Sequence, residues 1–212
     1  MKSLFDRLVG GPPAAREPAA DDEGFFATQF MERPESVRAT SAWAARALVV
    51  GAHAFDATEG LALLQRAWGG DHFLAALSAP ERQLMAERLE FVTVPAGREL
   101  IVQDEKGDYA LIVLEGVVAV DRVQPAGGRA RLAEAREGDV LGEMSLLDAG
   151  ARFASCHTLS ACKLAVLAGE TLDDLSLEEP RLGMALLASM ARRLSLRTRQ
   201  LSARLAAVLA SG

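Results

Sequence analysis

The chain is 212 residues long, half of them apolar, and carries a formal net charge of −6. That length suits one generous domain, or one domain with a helical annex, and the apolar share supports a sizeable core, so a disordered chain is excluded. Six of the 23 basic residues, Arg181, Arg192, Arg193, Arg197, Arg199 and Arg204, lie in the acid-free stretch 181–212, which leaves 17 basic against 29 acidic residues elsewhere. Such an acidic body speaks against a broad grip on a nucleic-acid backbone, while one basic helix suits a solvated face or pairing with the body's acids.

Residues 1–70 read as an amino-terminal extension, flexible and then helical. The opening Met1-Lys2-Ser3-Leu4-Phe5-Asp6-Arg7 lacks the apolar core and cleavage site of a secretory signal, and the apolar stretch 42–55 is interrupted by Arg46 and His53 and is too short to cross a bilayer. A soluble, cytoplasmic protein without membrane contact is the expectation. Residues 10–24 are rich in Pro, Gly, Ala and charge and read as a linker or tail. From Pro34 the period becomes helical, with Val37, Ala44, Ala45, Leu48 and Val49 on one pattern. Residues 57–68 repeat it through Leu61, Leu63, Leu64 and Trp68 before Gly69-Gly70 ends it.

Residues 71–178 form the second unit. Residues 71–90 predict a helical pair, with Pro80 placed at a helix start. The period then changes to short β-favouring runs at 91–94, 99–102, 109–114, 117–120, 130–135, 153–158 and 163–168, most of them separated by Gly or Pro. That spacing predicts an antiparallel barrel or jelly roll. Cys156 and Cys162 lack metal-ligand spacing and suit buried apolar thiols. A short helix follows over 170–176.

The third unit, 179–212, is one long helix opened by Pro180. Leu187, Leu194, Leu201 and Val208 fall on a strict seven-residue repeat, with Met190, Ala191, Thr198 and Leu205 in companion positions. Such a stripe packs either along a second copy of the helix or on the barrel, and the barrel can contact only part of a helix about 45 Å long at ~1.5 Å per residue.

One segment concentrates chemistry: Gly138-Asp139-Val140-Leu141-Gly142-Glu143-Met144-Ser145-Leu146-Leu147, with Arg152 nine residues after Glu143 in Ala151-Arg152-Phe153-Ala154-Ser155. Gly142 allows close backbone approach to a ligand, and the N–H groups of Met144 and Ser145 face an anion if a helical turn follows. Ionised Glu143 accepts from sugar hydroxyls, and Arg152 offers a planar donor fork to a phosphate. On spacing alone a second reading stands beside this one: Glu143 and Arg152 as a structural ion pair at the barrel edge. His53, His72 and His157 are scattered, and no nucleophile–base set is visible, so an enzyme is not expected and no cofactor or metal is called for.

Residues 107–120, 138–147, 152–158 and Met190-Ala191-Arg192-Arg193-Leu194 together resemble the cyclic nucleotide-binding domain, especially that of the bacterial cyclic AMP receptor proteins, over about residues 72–205. The resemblance implies an α+β chain: an antiparallel β jelly roll with helices at both ends and a long carboxy-terminal dimerisation helix. It implies that Glu143 binds the ribose 2′-hydroxyl and Arg152 the cyclic phosphate. Gly142, Met144 and Ser145 then give loop contacts, with Phe153 and Ala154 following Arg152 in the same loop. Arg193 would approach Glu143, and Arg197 and Thr198 would lie where the family's helix contacts the base.

The chain departs from the family at three places. Phe153 stands where a small residue or Ser/Thr is usual, so a hydroxyl is lost although the main-chain N–H remains. Arg197 replaces a smaller polar residue and suits the O6/N7 edge of guanine. Against the family pattern, the expectation is also that no helix-turn-helix segment follows the long helix and that 1–70 is extra. The expectation is therefore a homodimeric sensor of a cyclic mononucleotide, cyclic AMP first and cyclic GMP second, that signals to a partner protein rather than by binding DNA. Two alternatives stand: a ligand-independent scaffold with Phe153 filling the pocket, and a cyclic di-GMP effector gripping two phosphates with Arg192, Arg193, Arg197 and Arg199.

Overall fold

The structure is a computed structural model that describes residues 42–124 and 127–210. The linker at 10–24 and Val37 of the first predicted helix lie outside the described residues. Four helices precede most of the sheet: α1 (Ala42–Val50), α2 (Ala57–Trp68), α3 (His72–Ala75) and α4 (Ala79–Arg88), with the two-residue strand β1 (His53–Ala54) between the first two. Their starts follow capping rules. The Asp56 carboxylate accepts from Glu59 N at 2.9 Å ahead of α2, and Ser78 and Glu81 close a capping box around Pro80 at the head of α4.

The strands are β2 (Glu90–Val94), β3 (Glu99–Ile101), β4 (Tyr109–Glu115), β5 (Val118–Val123), β6 (Arg129–Ala135), β7 (Val140–Leu141), β8 (Ser155–Thr158) and β9 (Cys162–Ala168). A short helix α5 (Glu143–Asp148) sits between β7 and β8, and α6 (Gly169–Glu178) and α7 (Pro180–Ala210) end the described chain. All strand pairs are antiparallel and form two sheets, β1-β2-β9-β4-β7 and β3-β8-β5-β6. The expected jelly roll with flanking helices and a long final helix is the observed architecture. No described helix is long and apolar enough to cross a membrane.

β4 explains why its sequence reads as an unbroken apolar run. Alternate residues of a strand face opposite sides. Tyr109, Leu111 and Val113 enter the roll interior with Val94, Leu100, Val118 and Leu164, whereas Ala110, Ile112 and Leu114 meet the helices with Leu64, Trp68, Met85, Leu175 and Leu186. Both faces are covered, so no polar alternation survives.

The helices of 42–70, set apart in sequence as part of an extension, share both cores: Trp43 and Val50 enter the roll interior, and Leu63, Leu64 and Trp68 the helix-side cluster. At Gly60, buried in α2, an added Cβ would overlap the Phe91 ring of β2. Gly60→Ala is therefore expected to destabilise the fold by about 1–3 kcal/mol through overpacking, despite alanine's better helix propensity. Urea unfolding checks this; an unchanged midpoint would show that α2 does not fold as part of the roll.

The heptad stripe divides. Leu182, Ala185, Leu186, Ser189 and Met190 are buried on the body and Leu187 packs beside them, while Leu201, Leu205, Val208 and Leu209 are 55–73% exposed.

Candidate functional site

The turn that leads from β6 into β7 is fastened before the chain reaches its functional residues. Gly138 N donates to Val113 O at 2.8 Å and Val113 N to Asp139 O at 2.9 Å, which ties this turn to β4. Gly142 then adopts a left-handed conformation with φ 77° and caps α5; a Cβ there would stand 2.5 Å from Arg152 Nη1 and 3.0 Å from Tyr109 O. A left-handed backbone and a space already filled both call for glycine.

Arg152 is held at main chain and side chain. Its N–H donates to Glu105 O at 2.8 Å and its carbonyl accepts from Asp104 N at 2.9 Å. Its guanidinium turns inward: Nη1 donates to Gly142 O and Nη2 to Tyr109 O, both at 2.8 Å, and its carbon lies 4.5 Å from the centre of the Tyr109 ring. A Cβ on Gly107 would overlap the guanidinium. Two glycines and one aromatic ring thus form its bed. Burial lowers the Arg152 pKa from its ordinary value, yet a guanidinium remains charged at neutral pH. Of its five N–H groups, two serve these carbonyls, which leaves donors for an anion.

Glu143 opens α5, and both Glu143 and Arg152 are 3% exposed. The Glu143 carboxylate meets α7: Arg197 Nη1 lies 2.6 Å from Oε1, and Arg197 Nη2 donates to Val140 O at 2.9 Å. Burial pushes the Glu143 pKa up and the Arg197 charge opposes that rise. The Glu143–Arg152 ion pair, left open by spacing, is not among the ion pairs of the described residues; the carboxylate has Arg197 and the guanidinium has two carbonyls.

The expected approach of Arg193 to Glu143 is corrected. Arg193 Nη1 donates to Gly138 O at 2.8 Å, and its guanidinium stacks 4.3 Å from the Trp68 ring centre. Trp68 and the Gly138 carbonyl capture this arginine, and Glu143 falls within reach of Arg197, one helical turn farther along α7.

The other expected residues are dispersed. Ser145 and Ala154 are buried beside the loop, whereas Met144 is half-exposed. Phe153 is 51% exposed and lies beneath Arg122, whose guanidinium carbon is 4.1 Å from the ring centre, so it does not fill a pocket. Thr198 is exposed and donates back to Leu194 O at 2.9 Å within its own helix. Arg192 approaches Asp71 at 3.9 Å, so Arg192, Arg193 and Arg197 each face a different group and do not form one phosphate clamp.

Sequence reading missed Tyr109, Gly107 and Trp68. Tyr109 is the only tyrosine of the chain, a signal that its place in an apolar strand run conceals. Both cysteines are buried free thiols, and burial pushes Cys156 up to about 12, which leaves it unreactive. A hollow of about 250 Å³ lies between α2, α3 and α4, lined by Leu64, Trp68, Leu74, Arg82 and Met85, away from Glu143 and Arg152.

The jelly roll thus presents a buried carboxylate, Glu143, and a buried guanidinium, Arg152, in the segment that follows the left-handed Gly142. Residues 91–179 match the family model of the cyclic nucleotide-binding domain. The chain is 28% identical over 110 residues, 52% of its own length and 49% of the relative's, to the CRP-like cAMP-activated global transcriptional regulator of Mycobacterium tuberculosis. It spans about half the length of the curated relatives it matches.

Among solved structures it is similar to a cyclic nucleotide-binding domain from Methylobacillus flagellatus. That match has TM-score 0.67 and 25% identity over 72% of this chain and 86% of that one. It is also similar to the catabolite activator protein of Thermus thermophilus, with TM-score 0.53 and 30% identity over 64% and 62% of the two chains.

Proposed function

We propose that the protein is a cytoplasmic regulatory sensor, not an enzyme, that binds a cyclic mononucleotide, cyclic AMP first and cyclic GMP second. The observation that carries the reading is the placement of Glu143 and Arg152 around Gly142, both buried and both presented by the segment that follows the turn tied to β4. Arg152 takes the cyclic phosphate with the N–H groups its carbonyl partners leave, and Glu143 accepts from the ribose 2′-hydroxyl. Gly142, Met144, Ser145, Phe153 and Ala154 supply loop contacts.

Arg197 occupies Glu143 Oε1 in the structure. A ribose hydroxyl binds the same carboxylate that Arg197 holds, and in this reading ligand binding favours states in which Arg197, and with it α7, has shifted. Freed from Glu143, Arg197 and neighbouring Thr198 face the base. The exposed Leu201, Leu205 and Val208 of α7 form a homodimer seam, and the changed helix is read by a partner protein rather than by DNA, in keeping with the net charge of −6.

Thermal unfolding with millimolar ligand tests the ligand class. Cyclic AMP is expected to raise Tm in a concentration-dependent way, as binding to the folded state alone must. A rise with cyclic di-GMP and none with either mononucleotide would overturn the proposal in favour of the dinucleotide reading. The seam has its own check: Leu201→Glu is expected to convert a dimer to a monomer in sedimentation velocity, and an unchanged dimer would place the contact elsewhere.

A further inference from the structure

We infer that α1, which lies outside the matched domain, is a positioning element for the Arg152 guanidinium, and that its docking is linked to occupancy of the site. The inference rests on the proposed binding of a cyclic nucleotide at Arg152.

Two contacts run from α1 to that residue. Trp43 is 1% exposed, donates from its indole Nε1 to Glu90 Oε2 at 3.1 Å, and meets the Tyr109 ring edge-on with centroids 5.3 Å apart. Tyr109 is itself fixed by its hydroxyl, which donates to Leu100 O at 2.7 Å. Its ring and its carbonyl support the Arg152 guanidinium together with the Gly142 carbonyl. The second contact passes through the main chain. Arg46 pairs with the Glu105 carboxylate, and the Glu105 carbonyl accepts the Arg152 N–H. One helix thus bears on both the side chain and the backbone of the residue proposed to hold the phosphate.

The same helix has a light hold on the body. Trp43 and Val50 are its only residues buried outright, while Leu48 and Val49 on its outer side are 86% and 71% exposed. A short element with so few anchors opens at low free energy compared with the strands. When it is docked, the Tyr109 ring stays under the guanidinium and the fork is set before ligand arrives, which lowers the ordering cost of binding. When it lifts, the ring loses its neighbour and the fork loses its floor. Linkage then requires the reciprocal effect: a bound nucleotide tightens α1 on the roll. Trp43 and Arg46 are positioning residues in this scheme; neither touches the ligand.

The test uses the full chain and cyclic AMP. Calorimetric affinity is measured for wild type, Trp43→Ala, Trp43→Phe and Arg46→Gln, and hydrogen exchange of residues 42–50 is compared in wild type with and without saturating ligand. Trp43→Ala is expected to bind about tenfold more weakly and Arg46→Gln about threefold, within the range that couplings through packed networks reach. Trp43→Phe, which keeps an aromatic edge on Tyr109, is expected to recover most of the loss, and exchange in 42–50 is expected to slow on saturation. Arg46→Gln, at a surface pair, and the wild-type exchange measurement keep the test decisive if Trp43→Ala fails to fold. Wild-type binding with unchanged exchange in 42–50 and unchanged affinity in the variants would overturn the inference and leave the binding proposal intact. Absence of wild-type binding would overturn both.

Discussion

Arg152→Ala is expected to weaken cyclic AMP binding by about 10²- to 10³-fold, because truncating one partner of a buried, hydrogen-bonded charge pair costs roughly 2–5 kcal/mol and each 1.4 kcal/mol is tenfold. The same change also strips Gly142 O and Tyr109 O of their donors in the interior, so the unliganded protein is expected to lose stability as well, at about 1–3 kcal/mol for a buried acceptor left bare. Displacement of a fluorescent cyclic AMP analogue and urea unfolding read the two effects separately. Arg152→Lys divides them further. An ammonium keeps the charge but cannot span both carbonyls and a phosphate in one plane, so affinity between wild type and Arg152→Ala is expected. Affinity of the alanine variant within a few-fold of wild type would remove Arg152 from the phosphate role.

Glu143→Gln is expected to act in opposite directions on binding and on stability. A carboxylate is the stronger acceptor for a ribose hydroxyl, and hydrogen bonds to charged groups contribute about 1.5–3 kcal/mol, so affinity is expected to fall about ten- to a hundredfold. Stability of the unliganded protein at neutral pH is expected to rise. Burial pushes the Glu143 pKa above its unfolded value even with Arg197 opposing, so ionised Glu143 destabilises the folded state above that raised pKa. The folded state binds the proton more tightly than the unfolded chain, and this contribution to stability falls as pH rises from the ordinary carboxylate value through the raised one. The stability gap between Glu143→Gln and wild type is therefore greatest at neutral pH and closes as pH falls through the folded pKa of Glu143. Urea midpoints of both proteins across that window check it. A glutamine variant less stable than wild type at pH 7 would mean that the Arg197 pair outweighs the burial of the carboxylate.

Such a trade is physically reasonable for a sensing site, where a group costly to bury is retained because it binds. It also gives Arg197 two roles on one atom. It opposes the burial-driven rise of the Glu143 pKa while the two are paired and, under the proposed function, shifts when a ribose hydroxyl arrives.

Much of the roll was legible in the sequence because its strands are short, apolar and bounded by Gly or Pro. The runs at 91–94, 109–114 and 163–168 lie within observed strands, and the pattern at 57–68 coincides with α2. β1 and β7 were not legible, since two residues carry no period and only pairing with β2 and β4 makes them strands.

The site was legible where its meaning is local. Gly142, Glu143 and Arg152 share one loop, and their residue types state what they can bind. The side chains that position them were hidden because they come from elsewhere in the chain. Tyr109 looks like a strand residue, and Trp43 and Trp68 look like apolar helix positions. Arg193 and Arg197 differ by one turn of the same helix, so the choice between them depended on Trp68 and the Gly138 carbonyl, which lie 70 positions apart in sequence.

The central claim is that this loop binds a cyclic mononucleotide, and isothermal titration of the full chain with cyclic AMP tests it most directly. Saturable heat with one nucleotide per chain, lost in Arg152→Ala, is the predicted result. A folded protein that gives no heat with cyclic AMP or cyclic GMP would contradict the account and leave the roll as a scaffold.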